Sequence, residues 1–158
     1  MSTLAYAAMT RARTAAQPGA GVAPAGSPGV TTYVDALAAL VPAEVLAAHA
    51  TILTFTTETK DAVVTITNKP ALTMAFYGLI AVSIILYMYG RLIKSAWNKW
   101  DCLRVLIPPL SFVGWTMLQK ATAFDAIAPG LNPGTRNVIA ILGGIVLGVV
   151  AAGLAYKR

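Results

Sequence analysis

ALTMAFYGLIAVSIILYMYG, residues 71–90, is a run of twenty residues without a charged side chain. As a helix rising 1.5 Å per residue it reaches about 30 Å, the thickness of a bilayer's hydrocarbon layer. Pro70 stands at its start, where a missing N–H donor costs nothing. Tyr87 and Tyr89 lie near its far end, where interfacial aromatics belong. This stretch reads as a membrane-spanning helix and sets the class of the whole chain. Composition agrees. Of the 158 residues 57% are hydrophobic and 11% charged, and the mean hydropathy is +0.68. A soluble domain carries about a quarter charged residues and could not cover itself with so few.

Beyond residue 90 comes RLIKSAWNKWDCLR, residues 91–104. In a helix Ile93, Trp97 and Trp100 share one face, with Lys94, Asn98 and Asp101 off it. That pattern suits the headgroup layer; an extension of the preceding helix into water is the alternative. Trp97, Trp100, Lys94 and Arg104 are accordingly expected at the membrane interface. Cys102 is the sole cysteine, so no intramolecular disulfide can form. VLIPPLSFVGWTML, residues 105–118, is only fourteen residues long, and Pro108 and Pro109 are expected to interrupt its first turns. It spans with Lys120 reaching the far headgroups, or dips in and returns; spanning is the expectation. After a polar loop, NVIAILGGIVLGVVAAGLAY, residues 137–156, is apolar throughout and ends in a basic pair.

Toward the N-terminus, ETKDAVVTITNKP is polar. A helix end followed by a loop is expected here, although the alternating threonines also permit a hairpin turning at Thr59-Lys60-Asp61. LVPAEVLAAHATILTFTT, residues 40–57, belongs to a further apolar segment, with Thr31 or Thr32 as cap, Asp35 in the first turn and a kink at Pro42. Residues 1–31, with the Ala/Gly/Pro/Ser linker PGAGVAPAGSPG, read as a flexible N-terminal tail that cannot build a core and would be ordered by a partner.

The sequence thus predicts an all-α integral membrane protein: a tail over 1–31 and a transmembrane domain over 32–158. Four spans are expected at about 36–57, 71–90, 105–123 and 137–156, the third short and Pro-interrupted. Charge sets the orientation. Arg11, Arg13, Arg91, Lys94, Lys99, Arg104, Lys157 and Arg158, eight of the twelve cations, fall on one side if both termini are cytoplasmic. The N-in/C-in arrangement follows, most simply in a bacterial cytoplasmic membrane. The net charge of +6 is thus topogenic, and no nucleic-acid partner is implied.

Polar groups inside the first segment are the candidate chemistry. Glu44 would sit roughly 10 Å deep. An ionised carboxylate there costs at least ~2.5 kcal/mol, so it should face protein or water, with Arg104 or the backbone freed by Pro42 as partner. His49 lies about 140° around the helix from Glu44, which disfavours a proton relay between them; it reads as a hydrogen-bonded interior histidine. Glu44, His49, Thr51 and Thr54 are the expected pore-lining or buried polar residues. In the last segment Ala140, Gly144, Gly148 and Ala152 recur every four residues. Gly144-x-x-x-Gly148 is a close-packing motif: lipid is as apolar as leucine, so helices associate through small residues that let backbones approach.

No nucleotide loop, nucleophile elbow or zinc ligand set is present, so neither an enzyme nor a metal or other cofactor is expected. Size, several short spans and a basic C-terminus resemble some phage holins; the resemblance rests on those general traits and carries no residue over. Two readings follow. The first is a subunit of a homo-oligomeric pore or membrane-permeabilising assembly. The second is a non-catalytic accessory or scaffold subunit, docking through residues 1–31 and the Trp97/Trp100 element.

Overall fold

The computed structural model describes residues 30–61, 63–93, 97–119 and 121–156. Residues 1–29, 62, 94–96, 120, 157 and 158 lie outside the described residues, and with them the tail's partner role and the interface role of Lys94. In chain order the elements are α1 Val30–Ala38, α2 Ala43–Thr56, β1 Thr57–Lys60, β2 Val63–Ile66, α3 Lys69–Ile93, α4 Asp101–Arg104, α5 Ile107–Leu118, α6 Ala123–Ile127 and α7 Pro133–Tyr156.

Two helices, Lys69–Ile93 and Pro133–Ala155, are long and apolar enough to cross a membrane. Neither is buried as the core helix of a water-soluble fold would be. Only 28% and 17% of their most apolar windows are buried within the chain. Met74, Ile85, Leu142, Val146 and Val149 point outward. The side chain of Asn68 caps α3, its Oδ1 accepting the Ala71 N–H at 3.1 Å.

α3 and α7 run parallel. Their C-terminal ends meet around Asp101, which takes Arg91 of α3 and Arg104; Arg104 also donates to the Leu154 carbonyl of α7. Their N-terminal ends meet at α6: Leu72 and Phe76 pack with Ala123 and Ala126, and Arg136 bonds Asp125. Two parallel helices need a connection that returns the chain from one end of the bundle to the other. α5 and α6 supply it. α5 has 12 residues. It reaches about 18 Å and so covers only part of that length. Contrary to the sequence reading, Pro108 and Pro109 do not interrupt it. They lie in its first turn, where N–H groups have no intrahelical acceptor to lose.

The first apolar segment departs furthest from expectation. It is not one kinked helix. Leu37 sits against Gly114, its Cδ1 3.2 Å from where a Cβ would stand, while His49 stacks edge-on against Phe112 and Trp115. Leu37 and His49 are twelve residues apart and would be separated by about 18 Å in a continuous helix. Both nevertheless touch the same turn of α5. Between them Leu40 packs on the cluster of Ile107, Ala151 and Leu154, toward the other end of α5. The chain therefore runs down α5 as α1, reverses, and climbs back as α2. The cause is Pro42. It disfavours helical backbone at Val41. Its own ψ of 135° redirects the chain before α2 starts. The Ala38 carbonyl that a kink would have freed accepts from Val41 N–H at 3.1 Å. Asp35 is consequently an exposed residue within α1, not part of a first turn.

After α2 the chain forms the hairpin that the alternation permitted, in place of the expected loop. β1 and β2 pair antiparallel with Thr57 opposite Ile66 and Lys60 opposite Val63. Asp61 takes the left-handed conformation, with φ at 50°. Short polar side chains tolerate that region. The buried Thr56 anchors the hairpin's base, its carbonyl accepting from Thr67 N–H at 2.9 Å. The main core, built on Val45, Leu72, Phe76, Leu79 and Phe112, fills the space between α2, α3, α5 and α6.

Candidate functional site

Asp101 is fully buried beside the C-terminal ends of α3 and α7. The sequence reading put it on the polar side of an amphipathic element; in the structure it is the hub of that end of the bundle. Its Oδ1 accepts from Tyr87 OH at 3.0 Å, Arg91 Nη2 at 2.7 Å and Arg104 Nη1 at 3.0 Å. Its Oδ2 takes the Asn98 N–H at 2.8 Å. A further tie runs from Arg104 Nη2 to the Leu154 carbonyl. Arg104 turns inward, buried and bound to Asp101, and it is not the partner of Glu44, which is exposed. Trp100 also turns inward, against the Ile107 cluster, while Trp97 remains exposed. The signal was present in the sequence. Asp101 is the single acid among the cations of its loop, and Tyr87 and Arg91, four apart, share a helical face.

Burial alone would push the Asp101 carboxyl up. The Asn98 N–H, then Arg104, Tyr87 and Arg91, outweigh it and hold the group at about 2, below its ordinary 3.8. A carboxyl depressed by folding stabilises the fold fully above its unfolded value and loses that contribution as pH falls toward the folded one. The α3–α4–α7 corner should therefore loosen between pH 3.8 and about 2. Tryptophan emission from Trp100, which packs in that corner, should report the loosening, and Asp101→Asn should remove the step.

A second polar pair closes the opposite end. Thr122 and Asp125 form a capping box on α6, with Asp125 Oδ2 accepting Thr122 N–H at 2.9 Å. Arg136, at the start of α7, donates to Asp125 Oδ1 and to the Gln119 carbonyl, the latter at 2.8 Å. Arg136 is buried, although it stands in the stretch that the sequence reads as a polar loop.

The expected polar residues of the first segment divide between two faces of α2. His49 is fully buried, beside Phe112 and Trp115, with Nε2 accepting from Ala123 N–H at 3.4 Å. Glu44, Ala47, Thr51 and Thr54 form an exposed stripe on the other side. Glu44 lies in the first turn of α2, where a carboxylate complements the helix dipole. Thr51 and Thr54 donate to the carbonyls of Ala47 and Thr51, at 3.0 and 2.7 Å.

The small-residue stripe of α7 divides as well. Ala140 is buried and Gly144 lies against Leu37. Gly148 has no side chain within 4 Å of its absent Cβ, and Ala152 is exposed. Gly148 borders a shallow groove of about 280 Å³ between α1 and α7, whose other wall is Tyr33, Ala36 and Leu40. Among the described residues no group of three His, Cys, Asp or Glu side chains could hold a metal ion. Cys102 is exposed and free. No family model, no curated protein and no solved structure matches this chain.

Proposed function

We propose that this chain is an integral membrane subunit of a homo-oligomeric pore or permeabilising assembly, with the exposed face of α2 lining the aqueous path between copies. One observation carries the reading: Glu44, Ala47, Thr51 and Thr54 present a small and polar strip on the exposed face of α2, bordered by the exposed Phe55 at its C-terminal end. A carboxylate facing acyl chains is unfavourable by at least ~2.5 kcal/mol. A strip shared between subunits resolves that, because water or a neighbouring copy replaces lipid. The threonine hydroxyls are already satisfied by their own backbone, so α2 can face either lipid or water, as a subunit that assembles after insertion requires. His49 is no part of this lining.

The topology that best suits the reading has three crossings, in place of the four expected. They are α3, the α5–α6 return and α7, with α1 and α2 as a re-entrant pair. The Arg91–Arg104 end is cytoplasmic by the cations at 91, 94, 99, 104, 157 and 158, and the odd number of crossings replaces the expected N-in/C-in arrangement with N-out/C-in.

Liposomes carrying the purified protein should leak small ions. Glu44→Gln should reduce ion selectivity and flux several-fold without altering thermal stability in detergent, since Glu44 makes no bond among the described residues. Protein that gives no flux and purifies only with unrelated chains would instead be a scaffold subunit. The broad apolar exterior of α7 favours that second reading.

A further inference from the structure

We propose that His49 is an acid-sensitive latch that holds α2 to the corner between α5 and α6. The site differs from the α2 lining strip, and the inference stands whether or not the pore reading does. His49 is fully buried, with the rings of Phe112 and Trp115 set nearly perpendicular to it at centroid distances of 5.5 and 5.3 Å. Its Nε2 lies 3.4 Å from the Ala123 backbone nitrogen and accepts that N–H. An imidazole nitrogen that accepts carries no proton, so the ring is neutral with its proton on Nδ1. Nδ1 has no partner among the described residues.

Taking up a proton changes this locally. Nε2 becomes a donor facing another donor, Ala123 N–H, and both bonds cannot be kept. A positive charge is placed in a cage with no counter-ion. On α2 itself the other charged residue is Glu44, on the opposite, exposed face. α5 contributes no charged residue. α3 presents apolar Leu72 and Phe76 to this core; its charges, Lys69 and Arg91, stand at its ends. α6 carries Asp125, whose two oxygens are held by Thr122 and Arg136. Leaving the cage for water relieves both the lost bond and the unpaired charge. Leaving unties α2 and its hairpin from Ala123, at the start of α6 and beside the Asp125–Arg136 pair that holds α7.

The chain has one histidine, so its imidazole nitrogens give a single set of signals when the full-length protein is purified without a histidine tag. In ¹⁵N spectra recorded in mild detergent from about pH 8 to about pH 4, the neutral ring should be the Nδ1–H tautomer. As the imidazolium forms, the protection factor of the Ala123 amide, its exchange rate compared with that of an unstructured amide at the same pH, should fall at least ~10-fold, with the same midpoint. His49→Gln can keep an acceptor on Ala123 yet cannot titrate, and should abolish the acid step in Ala123 exchange. An Nε2–H tautomer at neutral pH would overturn the proposal. So would an imidazolium that forms with Ala123 still protected, or an acid step that persists in His49→Gln.

Discussion

Asp101→Asn should lower the unfolding free energy by about 3 kcal/mol, more than removal of either arginine that binds it. The magnitude follows from what is left behind. Breaking a buried ion pair from one side costs about 3–5 kcal/mol, because the surviving charge is desolvated without compensation. Asp101 answers two guanidinium groups, one tyrosine hydroxyl and one backbone N–H. Asparagine keeps one acceptor, but its amide group would present a donor toward Asn98 N–H. Arg104, nine-tenths buried and held beside the Leu154 carbonyl, would lose its charge-assisted bond to Asp101. Arg91→Gln should be milder, since that side chain is 32% exposed. Water can take over the solvation of what it leaves. Denaturant titration in mild detergent, followed by far-UV circular dichroism, ranks the variants. Equal losses for Asp101→Asn and Arg91→Gln would mean that the acid is not the hub.

These residues also mark where the sequence was legible. The long apolar runs at 71–90 and 137–156 announced α3 and α7, because an unbroken apolar run of that length favours one long helix, whichever of its sides are buried. The periodic separation of Glu44 from His49 also survived: one is exposed and the other buried. Ion-pair partners did not survive. Arg104 was assigned to headgroups by proximity to a span, yet the parallel arrangement of α3 and α7 brings three chain-distant segments together around Asp101. Hydropathy contains no such long-range information. The same limit applied at Pro42. A proline inside an apolar run predicts a bend, but whether the chain bends or reverses depends on which surfaces are available to bury its two halves. Here α5 offers both: a glycine at 114 for Leu37, and an aromatic pair at 112 and 115 for His49.

That reversal yields the second large effect. Leu37 is 1% exposed and fits a socket made by two glycines on different helices, Gly114 of α5 and Gly144 of α7. Leu37→Ala should lose about 2–4 kcal/mol, since the glycines offer no side chains that could collapse into the void. Filling the socket from the other side separates packing from mere size. A methyl group at Gly144 would meet Leu37 atoms at 3.4 Å, ordinary contact, so Gly144→Ala should be nearly neutral. At Gly114 the nearest Leu37 atom would be 3.2 Å away, tight enough to require a small shift. Gly114→Ala should therefore cost up to about 1 kcal/mol. Gly114→Leu cannot be accommodated and should expel α1, while α2 stays seated through Val45 and His49. Leu37→Ala combined with Gly114→Leu should recover part of the loss, because the removed and added volumes lie at one point. A continuous helix kinked at Pro42 makes the opposite forecast. It would carry Leu37 about 18 Å from the aromatic pair on α5, and the two substitutions would then add independently.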